Sequence, residues 1–141
     1  MTRAAGLSVV LVLLGVAAGC SRSDSIQGTY VFVSETGPLV IPQPESSNRA
    51  QTMKFTGDQV IITYSDGKER VMPYILDTTK NPPEIDITWT REDGKEERMY
   101  GIYKREGDTL TICFAYSAAK RPKEFNTPAG SDATLMVFKR K

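Results

Sequence analysis

Residues 100–115 leave this chain little choice of fold. Leu110, Ile112 and Phe114 alternate with Thr109, Thr111 and Cys113, a period of two that marks a strand with one buried face. Upstream, Tyr100 to Arg105 is a second strand, and Glu106-Gly107-Asp108 is the tight turn between them. Gly107 supplies the positive φ such a turn needs. The rest of the chain repeats this theme as a ladder of short strands and glycine turns.

Read from its start, the chain opens with Met1-Thr2-Arg3 and then runs from Ala4 to Gly19 through apolar and small residues with one Ser. Sixteen such residues fall short of the roughly 20 that span a bilayer, and they suit the apolar part of an export signal. The run ends Val16-Ala17-Ala18-Gly19-Cys20-Ser21. This resembles the bacterial lipobox, in which small residues precede a cysteine that is lipidated and becomes the new N-terminus. The Leu usual three residues before the cysteine is Ala17 here. The expected division is a signal peptide at 1–19, a lipidated Cys20 with a short polar tether at 20–25, and one domain at 26–141. The alternative is ordinary secretion with Cys20 incidental. Buried acyl methylenes contribute about 0.8 kcal/mol each, so lipidation makes the membrane the first expected partner. Ser21, where Asp would be read as a retention signal, points by resemblance to sorting rules toward the outer membrane, facing the periplasm.

Removing Arg3 with the signal leaves 17 basic and 17 acidic side chains, so the mature chain has no formal net charge. A nucleic-acid partner is not expected, because no basic excess or stripe is visible. The chain has no histidine, the commonest metal ligand and the commonest general base at neutral pH. No enzyme, metal or cofactor is expected.

Ile26 to Ser34 reads as the first strand. Tyr30 and Phe32 share one face and Val31 and Val33 the other, which suggests burial on both sides near the strand's start or an outer face covered by the next segment. Residues 35–50 carry Pro38, Pro42 and Pro44 and read as a long loop, the candidate lid over one end of the fold. Strands follow at 52–56, 59–65, 68–76, 84–90, 96–104, 109–115 and 133–139, with turns at Gly57-Asp58, Asp66-Gly67 and Asp93-Gly94. Pro73 lacks a donor and marks an edge, a bulge or a bend. A second long loop runs from Tyr116 to Asp132. Eight strands in up-and-down order would leave two exposed edges as a flat sheet. Closure removes them, so the expected fold is all-β, an eight-stranded antiparallel up-and-down barrel.

Several stretches, in order, then match a known family. They are Gly28-Thr29-Tyr30, Phe55-Thr56-Gly57-Asp58, Leu76-Asp77, Pro82-Pro83-Glu84-Ile85-Asp86, Gly101-Ile102-Tyr103, Gly107-Asp108-Thr109-Leu110-Thr111-Ile112-Cys113 and Arg121-Pro122-Lys123-Glu124-Phe125. Together they resemble the small lipocalin-like domain abundant in planctomycete-type bacteria, over roughly residues 26 to 141. The resemblance implies a lipocalin-like barrel and no particular activity. Gly28-Thr29-Tyr30 is also similar to the Gly-x-Trp that opens true lipocalins, with Tyr in place of Trp.

The candidate binding residues are Tyr30, Trp89, Tyr100, Tyr103 and Arg121. The four aromatics either fill the barrel or line a small apolar pocket. Arg121 either meets a carboxylate or phosphate at the barrel mouth or pairs with Glu124 or Asp132 and pins its loop, with Phe125 plugging one barrel end. Glu84 and Asp86 share one strand face and are expected to be solvated. Cys113 is expected to be a small buried hydrophobe in the wall. Two functions remain open. One is binding of a small apolar or amphipathic molecule. The other is a ligand-free structural or protein-interaction module, with Leu39, Val40 and Ile41 in its contact patch.

Overall fold

The computed structural model describes residues 25–38 and 50–141. The expected signal peptide, Cys20, nearly all of the tether, and Leu39, Val40 and Ile41 of the candidate lid lie outside the described residues. Eight strands form: β1 (Gly28–Thr36), β2 (Ala50–Thr56), β3 (Gln59–Tyr64), β4 (Glu69–Asp77), β5 (Glu84–Thr90), β6 (Glu96–Glu106), β7 (Thr109–Ala115) and β8 (Thr134–Arg140). Each pairs antiparallel with the next, and β1 pairs with β8 to close the barrel. The all-β, eight-stranded up-and-down barrel expected from the sequence is therefore the fold.

The hairpin at the heart of the sequence forms as read. Tyr103 pairs with Ile112 and Glu106 with Thr109, and Gly107 turns the chain at φ 61°. The period of two sorts the strand residues into a lumen face and an outer face. On β5, Ile85, Ile87 and Trp89 point inward, and on β7 so do Leu110, Ile112 and Phe114. Tyr30, Phe55, Met72, Met99 and Phe138 meet them from other strands. The inward aromatics pack edge to face: Tyr30 on Phe55 at 6.1 Å and Phe55 on Tyr74 at 5.2 Å between ring centroids. Nearly all of these inward side chains are fully buried, so the lumen is packed with side chains.

The first strand departs from expectation. It spans 28–36, two residues later than read, and it is not buried on both sides. Val31 is 40% exposed and Val33 56%. Tyr30 and Phe32 face the lumen, so alternation leaves Val31 and Val33 outside. A bulge follows against β8, where Phe32 pairs with Phe138 but the next aligned pair is Ser34 with Val137. Val33 is the extra residue. Pro73 is likewise not at an edge. The Tyr74 N–H donates to Asp58 O on the β3 side at 2.9 Å, so the neighbouring Pro73 nitrogen faces β5. The β4–β5 pairing ends there, at Tyr74 with Ile87, so no ladder bond is lost.

Ile26 and Gln27, read as strand, instead close one end of the barrel. Ile26 is 1% exposed. The Gln27 side chain accepts from the Gly57 N–H at 2.9 Å and donates to the Tyr74 hydroxyl at 2.6 Å. Tyr74 passes the chain on to Gly57 O at 2.8 Å. Arg105 donates to Ser25 O at 2.7 Å, and the Lys141 N–H to Thr29 O at 2.9 Å. The first described residues, the C-terminus, the β2–β3 and β6–β7 turns and the 78–83 loop all gather at this end.

The second long loop does not plug the barrel either. It makes one 3-10 turn at Ala118–Lys120 and then lies along the outer wall. Phe125 packs there against Ile102, Cys113, Ala133 and Leu135, a small second core outside the barrel. The Lys104 ammonium sits 5.1 Å from the Phe125 ring centroid.

Candidate functional site

The five residues singled out in the sequence fall on both sides of the barrel wall. Tyr30, Trp89 and Tyr103 point inward and are buried. Tyr100 and Arg121 lie outside. Among the described residues, the Tyr30 hydroxyl is buried with no hydrogen-bond partner. Trp89 meets Tyr116 of the long loop at 5.8 Å between centroids, and Tyr116 is half exposed. Tyr100, Tyr116, Glu97 and Arg98 line a shallow groove of about 480 Å³ on the outer wall.

Arg121 is fully engaged. Nη2 donates to Asp86 Oδ1 at 2.7 Å and Nη1 to Gly101 O at 2.8 Å. Nε lies 3.5 Å from Glu84 Oε2, and the guanidinium stands 5.4 Å from the Tyr100 ring centroid. Its expected partners were Glu124 and Asp132, but Asp132 pairs with Lys120 and Glu124 accepts from Asn126. Glu84 and Asp86 are accordingly not a freely solvated face. They are mostly buried under Arg121, with Arg98 4.0 Å from the second Asp86 oxygen. The planar fork is thus committed to the protein's own acceptors, with two carboxylates and a carbonyl around it. The arrangement pins the long loop to β5 and β6.

Cys113 is buried on the outer face of β7, beneath that loop. Its thiol donates to Asn126 O at 3.6 Å. Burial pushes its pKa up to about 11, so it stays protonated and inert at neutral pH.

A second cavity is at the end closed by Ile26. A cleft of about 480 Å³ opens between Ser25–Gln27, the loop after β4 and the last turn of β6. Ile26, Leu76, Pro83 and Tyr103 give it an apolar floor, and Lys80, Lys104 and Arg105 bring three cations to it. No described lining residue is acidic. The 78–83 loop is shaped by a cis bond at Asn81–Pro82 and by Asp77, whose carboxylate accepts from the Thr79 hydroxyl and N–H. Those two bonds hold the Asp77 pKa below its ordinary value. Of the sequence candidates only Tyr103 reaches this cleft. Ile26, Lys80, Lys104 and Arg105 were missed, because each looks ordinary in sequence and they meet only where strand ends converge.

Fold and geometry define the chain as a closed eight-stranded antiparallel barrel with a filled lumen and an amphipathic cleft at its sealed end. Compared with known protein families, curated proteins and solved structures, the chain matches none.

Proposed function

We propose that this chain is a lipoprotein of the cell envelope, anchored through Cys20, whose lipocalin-like barrel binds a small amphipathic molecule in the cleft beside Ser25. The observation that carries the reading is the cleft itself. Its volume falls within the several hundred cubic ångströms typical of small-molecule sites, with a mostly apolar lining and a few polar groups. The anchor is supported by the signal-like start and by Ala18-Gly19-Cys20-Ser21, and Ser21 favours the outer membrane facing the periplasm. We read no enzymatic role, since the chain lacks histidine and Asp86 is committed to Arg121.

The packed lumen favours a second reading, a ligand-free structural or protein-interaction module. Native mass spectrometry on protein drawn from its host envelope without detergent separates the two. An extra mass that disappears after organic extraction supports binding. A clean apo mass, with no uptake of an apolar dye, overturns it. The mass of the N-terminal peptide tests the anchor independently. A diacylglyceryl group on Cys20 is expected, and an unmodified cysteine or a cleavage elsewhere rules anchoring out.

A further inference from the structure

The cleft lies at the end of the molecule where the described chain begins. Ser25 lines the cleft, and only five residue steps separate it from Cys20. At roughly 3.5 Å per residue even an extended tether reaches about 17 Å. An acylated Cys20 would therefore hold this end, and not the opposite one, against the lipid headgroups, a layer roughly 5–8 Å thick on each side of a bilayer. Lys80, Lys104 and Arg105 line the cleft, and the chain's last residues, Lys139, Arg140 and Lys141, finish at the same end. The β5–β6 hairpin tip at the far end carries Glu92, Asp93, Glu96 and Glu97 against Arg91 and Lys95.

We propose that the cleft takes the phosphate headgroup of an anionic phospholipid in the membrane that holds the anchor. This rests on the anchored reading above. Lys80 and Lys104 meet the phosphate, while Ile26, Leu76, Pro83 and Tyr103 take the glycerol and the first acyl carbons. Arg105 holds Ser25 O and shapes the wall. Lys104 lies 3.0 Å from Glu106 and 5.1 Å from the Phe125 ring centroid, but its side chain is partly exposed and Glu106 is exposed, and solvent-screened pairs of this kind contribute little. Bound lipid fixes the barrel axis, so the Tyr100–Tyr116 groove, near the start of β6, faces away from the membrane surface.

The test uses the protein as its host makes it, reconstituted through its own N-terminus into vesicles of phosphatidylcholine alone or with one-third phosphatidylglycerol. Lysine acetylation rates are read by mass spectrometry. We expect Lys80 and Lys104 to be acetylated at least about five-fold more slowly with phosphatidylglycerol, and Lys68 and Lys95 at the far end to be unchanged. Lys80→Glu should return Lys104 to its phosphatidylcholine rate. Equal rates in both vesicles overturn the proposal, as does slowing of all four lysines alike. Slowing reproduced by inorganic phosphate on phosphatidylcholine vesicles also overturns it, in favour of a free-phosphate site. Protein that does not attach, with Cys20 unmodified, defeats the anchored reading and this proposal together. Attached protein with equal rates defeats this proposal alone.

Discussion

A Cβ built on Gly101 would stand 2.7 Å from Cδ1 of Phe114 and 2.8 Å from the carbonyl oxygen of Cys113. The two residues are register partners on β6 and β7, and the Phe114 ring fills the space that a side chain at 101 would take. Gly101→Ala must push that ring out of a packed lumen. Overpacking of this kind costs roughly 1–3 kcal/mol. Urea unfolding should show a lower midpoint with an unchanged slope. An unchanged midpoint would mean that the ring swings aside freely.

Arg121 and Asp86 should be strongly coupled. Both are about four-fifths buried, and Arg121 also holds the Gly101 carbonyl. Arg121→Ala should cost about 2–3 kcal/mol, since hydrogen bonds to charged groups contribute more than neutral ones. Arg121→Lys should rescue only part of the loss, because an ammonium cannot reproduce the fork. A double-mutant cycle with Asp86→Asn measures the coupling, and strict additivity would argue against the clamp.

Cys113 should resist alkylation in the folded chain and react once the chain is unfolded. Its folded pKa lies above the ordinary 9.0, so the folded state holds the proton more tightly than the unfolded one. The stability this contributes is fully present below pH 9 and is lost as pH rises from about 9 to about 11. A melting temperature that falls over that window in the native protein, and falls less in Cys113→Ala, checks the sign. Rapid iodoacetamide labelling at pH 8 without unfolding would contradict it.

Gln27 seals the barrel end through Gly57 and Tyr74. Gln27→Ala removes both partners at once, at a cost of about 1 kcal/mol for a partly solvated site. Hydrogen exchange at the Gly57 amide should accelerate by ten-fold or more, while amides of β6 and β7 change by no more than the loss in global stability. An unaltered Gly57 rate would show that Ile26 alone holds the end shut.

Strand number, turn positions and antiparallel order were legible in residues such as Ile85-Asp86-Ile87-Thr88-Trp89 and Gly107-Asp108, because side-chain alternation and turn stereochemistry are local properties. Closure was legible as an expectation, since it removes the two bare edges that eight consecutive up-and-down strands would leave as a flat sheet. Tertiary structure decided the rest. Alternation alone assigns no inside to Tyr30-Val31-Phe32-Val33, where both faces are apolar, and only closure against β8, about a hundred residues away, put Tyr30 and Phe32 in the lumen and Val31 and Val33 outside. Arg121 met Asp86, 35 positions earlier, and not the carboxylates near it in the chain. Ile26, Lys80 and Lys104 became neighbours of one cleft only because barrel closure brings the first described residues against the ends of β4 and β6. Local chemistry sets the period of a strand, but only the register of the closed barrel sets which strand ends share a surface.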